Sequence, residues 1–121
     1  MDISDYRREY MSKGLDKNTL LDNPFKQFEA WFQQATDASI EDANAFSLAT
    51  SDEQSGPSIR TVLLKLFDEQ GFVFFTNYNS RKSKQIQAYP QVAMLFPWLP
   101  LNRQIKIEGR CEKISSAASL K

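Results

Sequence analysis

The stretch SIRTVLLKLF at 58–67, followed by GFVFFTN at 71–77, decides the fold of this 121-residue chain. Both segments are rich in β-branched and aromatic residues, and the DEQG between them is typical of a tight turn. A polar turn, SDEQSGP, separates 58–67 from an earlier apolar run, AFSLAT at 45–50. Three strands joined by short turns predict an antiparallel meander.

Two further strands are predicted, QVAMLF at 91–96 and RQIKIEGRCEKI at 103–114. The last alternates with period two, which places Ile105, Ile107 and Cys111 on one face. A parallel sheet would need a crossover helix between strands. The expected fold class is therefore α+β, mainly β, with an antiparallel barrel.

Helices are expected mostly before the strands. One is predicted over 4–13, and a second begins with Asn23 as N-cap and Pro24 at its first position. A third, short helix starts after Ser80 and is stopped by Pro90. The aromatic residues of the second helix recur at helical spacing and are interpreted as core packing: Phe25, Phe28, Trp31 and Phe32.

The composition excludes several classes of site. The chain has no His and a single Cys, Cys111, so it lacks the residues for a Ser-His-Asp triad, an ordinary zinc site or an internal disulfide. We interpret Cys111 as a small buried apolar residue, not a nucleophile. No apolar run is long enough to span a membrane, and MDISDYRREY is unlike a signal peptide, so a cytoplasmic protein is expected.

Charge is unevenly distributed although the net charge is zero, with 15 basic and 15 acidic residues. The segment 58–107 holds seven basic and two acidic residues. This excess indicates either a local anion site or solvated strand and helix faces, and the charges alone leave both open. Zero net charge weighs against a general nucleic-acid or membrane-surface binder.

Two groups of basic residues are candidates for binding an anion. Ser80, Arg81 and Lys82 stand at a predicted helix start, where backbone N–H groups and the helix dipole favour a phosphate. Arg60 and Lys65 lie five positions apart in one strand, so they should point to opposite faces. A single ligand could contact both only at a bulge or a strand end.

Six short segments in order and register give this chain its resemblance to a known family. It resembles the FMN-dependent pyridoxine/pyridoxamine 5′-phosphate oxidases. The matching segments are RREY at 7–10, RTVLLK at 60–65, FTN at 75–77, SRK at 80–82, LFPW at 95–98 and RQIKIEG at 103–109.

The resemblance implies a split β-barrel that forms a homodimer with FMN at the subunit interface. Substrate contacts are implied for Lys65, and for Arg7 and Tyr10 from the N-terminal segment. Phe75 stands where the family often has Tyr, so a backbone contact is retained and a hydroxyl contact is lost. The implied FMN-binding residues are Arg60, Thr61, Val62, Leu63, Leu64, Lys65, Phe75, Thr76, Arg81, Lys82 and Gln104, of which Arg60, Arg81 and Lys82 hold the phosphate.

The implied activity is oxidation of pyridoxamine or pyridoxine 5′-phosphate by O2. Family members are much longer, and SSAASLK at 115–121 resembles the start of a helix. We therefore expect one domain over 1–121, helical in 1–44 and barrel in 45–114, incomplete at its C-terminus and of doubtful activity. The alternatives are a flavin-binding module without catalysis and a single-stranded nucleic-acid binder.

Overall fold

The computed structural model describes residues 1–6, 17–76 and 80–114. Its five strands form one antiparallel sheet in the order β3-β2-β1-β4-β5, with β3 and β5 at the edges. This confirms the predicted antiparallel α+β fold, in which the sheet curls into half of a split barrel. The strands are β1 Ala45–Asp52, β2 Gly56–Asp68, β3 Gly71–Phe74, β4 Gln91–Phe96 and β5 Ile105–Arg110.

Helix α1 spans Pro24–Asp37 and begins where the sequence predicts the second helix, after Asn23. Asn23 is its N-cap, and Asn23 Oδ1 accepts hydrogen bonds from the backbone N–H groups of Phe25 at 2.8 Å and Lys26 at 3.2 Å. Asn23 Nδ2 also donates to Glu69 in the β2–β3 turn at 3.1 Å. One side chain therefore both caps the helix and ties it to the sheet.

The core is built from aromatic rings of α1 and the sheet. Phe28 is buried, and its ring lies edge-on to Phe67 at 4.8 Å and to Phe72 at 5.0 Å between centroids. Phe96 and Trp98 complete the cluster and are almost fully buried. The interpretation of the α1 aromatic residues as core packing is confirmed for Phe28, and for Trp31 and Phe32 at the margin of the core. Phe25 is half-buried and stacks on Phe72 at 5.8 Å between ring centroids.

β2 contains a bulge at Lys65. The β2–β3 register shifts between Leu64 and Leu66, so Lys65 is the extra residue. Before it, Val62 and Leu64 are buried, and after it Phe67 packs against the core. The bulge therefore changes which alternate positions of the long strand face inward.

β1 and β2 are longer than predicted, because their pairing continues to Asp52 and Gly56 and leaves only 53–55 of the predicted turn at 51–57. Two other strands are shorter than predicted. β3 ends at Phe74, the last residue paired with β2, so Phe75 and Thr76 of the predicted strand lie beyond it, and position 77 lies outside the described residues. β5 covers Ile105–Arg110, not 103–114, because its partner β4 has six residues and pairs no further. Pairing along a strand can extend only as far as the neighbouring strand does.

Other terminal predictions are tested only in part. Ser4 and Asp5 lie in a turn, not in the predicted helix, and residues 7–13 of that helix lie outside the described residues. The predicted helix start at 115–121 also lies outside them.

Cys111 is half-buried, and its backbone N–H donates a hydrogen bond to the Pro90 carbonyl at 2.8 Å. Burial is the main cause that raises the pKa of the Cys111 thiol, and the charge of Glu112 raises it further. No helix in the described part of the chain has the length and apolarity to cross a membrane.

Candidate anion-binding site

Helix α2 spans Arg81–Ala88, as predicted after Ser80, and places basic side chains at its N-terminus. The predicted cap is confirmed, because Ser80 Oγ accepts a hydrogen bond from the Ser83 backbone N–H at 3.2 Å. Lys82 Nζ donates to the same Ser80 hydroxyl at 3.3 Å. The helix start thus combines cationic side chains with the positive end of the helix dipole, an arrangement that favours a bound anion.

A second guanidinium group, that of Arg60, is brought towards this helix start by the sheet. Arg60 Nη1 donates to the Leu48 carbonyl at 2.9 Å and to Thr50 Oγ1 at 2.8 Å. Arg81 Nη2 donates to the Ser55 carbonyl at 2.9 Å. Burial lowers the pKa of Arg60, and the nearby charge of Arg81 lowers it further. An anion bound between these two like charges would relieve their repulsion.

Behind the two arginines lies a buried polar network that the sequence analysis did not predict. Its centre is Gln85 of α2, which is 1% exposed. Thr50 Oγ1 donates to Gln85 Oε1, and Gln85 Nε2 donates to Ser55 Oγ at 2.8 Å and to the Gly56 carbonyl at 3.0 Å. The sequence offered no signal for it, because Gln85 lies in a short helix made mostly of polar residues.

Asp52 stabilises the turn between β1 and β2, to which Gln85 forms hydrogen bonds. Its carboxylate accepts hydrogen bonds from Ser55 N at 2.6 Å, Ser55 Oγ at 2.7 Å and Gln54 N at 2.9 Å. The Ser55 backbone bond is the main cause that lowers the pKa of Asp52, and the charge of Arg81 lowers it slightly more. Gly56 ends the turn with φ of 72°, a left-handed conformation that favours glycine.

The remaining predicted residues of β2 divide between two faces. Val62 and Leu64 are in the core, so a ligand on the outer face can reach only their backbone atoms. Thr61, Leu63 and Lys65 are exposed on that outer face, opposite Arg60 as the alternation predicts. A groove of about 280 Å³ lies beside the Lys65 bulge.

The other candidates lie at the edges of the sheet. Thr76 follows β3, and its Oγ1 is buried without a hydrogen-bond partner among the described residues. Phe75 beside it is 54% exposed. Gln104 is exposed before β5, at the opposite edge, with β2, β1 and β4 between them. Arg7 and Tyr10 lie outside the described residues.

The fold and site define a split-barrel protein with a cationic helix start. The family model described as pyridoxamine 5′-phosphate oxidase matches residues 32–121, and the chain belongs to this family. The chain is 61% identical to the pyridoxine/pyridoxamine 5′-phosphate oxidase of Crocosphaera subtropica over 120 residues, and 58% identical to that of Aliarcobacter butzleri over 121. These matches cover 99% and 100% of this chain. The chain spans 56% and 57% of the length of the two relatives.

Solved structures agree on the fold. PhzG from Burkholderia lata, in complex with tetrahydrophenazine-1-carboxylic acid, superposes with a TM-score of 0.81 at 22% identity. This match covers 88% of this chain and 54% of that one. A pyridoxamine 5′-phosphate oxidase-related, FMN-binding protein from Nostoc punctiforme gives a TM-score of 0.62 at 25% identity, covering 81% and 53% of the two chains. The half-barrel is therefore a split-barrel fold shared with an FMN-binding protein.

Proposed function

We propose that this chain is the FMN-binding part of an oxidase that converts pyridoxine or pyridoxamine 5′-phosphate to pyridoxal 5′-phosphate with O2. The observation that carries the proposal is that Arg60 lies within the electrostatic reach of Arg81, the first residue of the capped helix α2. The names of relatives at 61% and 58% identity support the reaction. The proposed setting is the cytoplasm, with no nucleic acid or membrane among the partners.

The site residues fit a phosphorylated flavin. Arg60, Arg81 and Lys82 would surround the FMN phosphate, and the backbone N–H groups at the start of α2 would face it. The buried, unpartnered Oγ1 of Thr76 would gain the hydrogen bond that it lacks among the described residues. Bound at this site, FMN would supply the two-electron redox chemistry that links oxidation of the substrate to reduction of O2.

The other implied contacts favour a site shared by two copies of the chain. Phe75 and Thr76 lie at one edge of the sheet and Gln104 at the other. A flavin that contacts both edges would be bound between protomers, so we propose a homodimer. Within it, Thr61, Leu63 and the backbone of Val62 and Leu64 would line the flavin.

The substrate would be held by its phosphate against the flavin ring. Lys65 is exposed at the bulge of β2 and would provide one cationic contact. Arg7 and Tyr10 are the further substrate contacts in the proposal. Charge-assisted contacts to phosphate also fix orientation, so they would hold the reacting carbon of the substrate against the flavin.

A second candidate function is flavin binding without catalysis. It is favoured by the FMN-binding protein that shares this fold. The absorption spectrum of the purified chain after addition of FMN and removal of free flavin tests both functions. A retained flavin spectrum supports flavin binding, and a colourless protein contradicts it. Peroxide formed from pyridoxine 5′-phosphate then supports the oxidase, whereas flavin binding without peroxide supports the binding module.

A further inference from the structure

The buried amide of Gln85 lies behind the site without belonging to the predicted ligands. The side chain is 1% exposed, and it joins α2 to β1 and to the β1–β2 turn through three hydrogen bonds. We propose that Gln85 is a positioning residue that holds Arg60 and Arg81 in a phosphate-binding arrangement, an inference that rests on the proposed FMN function.

The donor and acceptor roles along this network are fixed, starting from the Gly56 carbonyl. The Gly56 carbonyl can only accept a hydrogen bond, so it requires the NH2 group of Gln85 to face it. The amide oxygen Oε1 must then face Thr50, whose hydroxyl donates to it. Because its proton is used there, Thr50 Oγ1 offers a lone pair to Arg60 Nη1. The amide of Gln85 thus sets the orientation of the Arg60 guanidinium.

The Gln85 amide also positions Arg81, through its hydrogen bond to Ser55 in the β1–β2 turn. Gln85 Nε2 donates to Ser55 Oγ, and Ser55 Oγ in turn donates to Asp52 at 2.7 Å. These bonds fix Ser55, whose backbone carbonyl accepts from Arg81 Nη2 at 2.9 Å. One buried residue is therefore connected to both guanidinium groups, by Thr50 on one side and by Ser55 on the other.

The two guanidinium groups repel each other, so a residue that positions both of them is needed. Arg60 is partly desolvated and lies within the electrostatic reach of Arg81, so in a loosely held site the side chains would move apart. A preorganised pair binds an anion more tightly because less order must be imposed when the ligand arrives. Replacing the amide should therefore weaken recognition of phosphate specifically.

The test compares FMN with riboflavin, which lacks the phosphate, by fluorescence titration of the 121-residue chain. In Gln85→Met the FMN affinity should fall about tenfold while riboflavin affinity stays within about twofold of the unsubstituted chain. A merely structural role would lower both affinities together. The matched control is Gln87→Met, an exposed position on the same helix, which should change neither.

Thr50 provides a second pair of variants that keeps the test valid if Gln85→Met does not fold. Thr50 is 3% exposed, so Thr50→Val removes the hydroxyl and keeps the shape, whereas Thr50→Ser keeps the hydroxyl. Loss of the FMN preference in Thr50→Val and its retention in Thr50→Ser support the inference. Equal FMN-to-riboflavin ratios in the two Thr50 variants, or an unchanged ratio in folded Gln85→Met, overturn it.

Failure of the proposed function would give a different result. If the unsubstituted chain binds FMN no better than riboflavin, the phosphate site itself is wrong, and the role of Gln85 falls with it. If Arg81→Ala loses the FMN preference and folded Gln85→Met keeps it, the phosphate site stands and only the positioning role is rejected.

Discussion

Arg81 occupies the first position of α2, where its charge opposes the helix dipole, and its guanidinium is held by the Ser55 carbonyl. This arrangement is favourable when an anion is bound. Replacing Arg81 with Ala should weaken FMN binding about tenfold or more, because a charge-assisted contact contributes roughly 1.5 to 3 kcal/mol. Flavin fluorescence titration measures the affinity. Lys84→Ala, an exposed base on the same helix, is the control, and equal losses in both variants would show that only overall charge matters.

Replacing the hydroxyl of Thr76 should weaken FMN binding without lowering the stability of the fold. Its Oγ1 is buried without a partner among the described residues, and such a group costs roughly 1 to 3 kcal/mol. Thr76→Val keeps the branched shape and removes the hydroxyl. The midpoint of thermal unfolding in circular dichroism should stay unchanged or rise, while FMN binding should weaken about fivefold. A lower midpoint with unchanged FMN affinity would mean that the hydroxyl serves the fold.

The individual site residues show what a sequence can predict at this scale. Ser80, Arg81 and Lys82 could be identified because a helix start is a local feature. The contact between Gln85 and Thr50 could not, since 35 residues separate them and it exists only once α2 has packed against the sheet. The bulge at Lys65 is likewise a property of the β2–β3 pair, and neither strand alone specifies it.

At the scale of elements, β4 was predicted with both of its ends, whereas each of the other four described strands has at least one end that differs from the prediction. Alternation and turn residues located all five strands. β3 and β5 were overextended because pairing stops where the neighbouring strand or the next connection dictates. The start of α1 was predictable to the residue because Asn23 and Pro24 act locally.

The β1–β2 turn is an element whose stability should depend on pH. The hydrogen bonds from Ser55 and Gln54 lower the pKa of Asp52 from its ordinary value of 3.8, so the folded state favours the ionised carboxylate. The ionised carboxylate therefore stabilises the folded state fully above about pH 3.8. This stabilisation is lost as the pH falls through the lower pKa that Asp52 has in the folded state. Asp52→Asn should unfold at lower urea concentration than the unsubstituted chain near neutral pH.

That difference should narrow as the pH is lowered below about 3.8, which urea unfolding at several pH values measures. Glu53→Gln, an exposed position in the same turn, is the matched control and should leave the midpoints unchanged. A gap between Asp52→Asn and the unsubstituted chain that stays constant down to about pH 2 would contradict a role for the charge of Asp52.

At the scale of the whole molecule, the outer face of β2 carries apolar side chains in solvent. Ile59 is 67% exposed and Leu63 44% exposed, and they pair with the small residues Ala49 and Ala45 of β1. An exposed apolar patch of this kind is typical of a surface that binds another protein. The proposed homodimer would cover it and would bring two copies of the flavin contacts together.

The last prediction follows from the symmetry of that dimer. In a two-fold interface each substitution occurs twice, so Leu63→Asp would remove two leucines whose exposed surface the dimer would bury and would place two charges in the interface. The dissociation constant of the dimer should rise about a hundredfold or more, which sedimentation velocity over a range of concentrations would measure. Leu99→Asp places the same charge at an exposed leucine outside β2 and should leave the dimer intact. A monomeric unsubstituted chain, or equal effects of the two variants, would show that this face of β2 is not the interface.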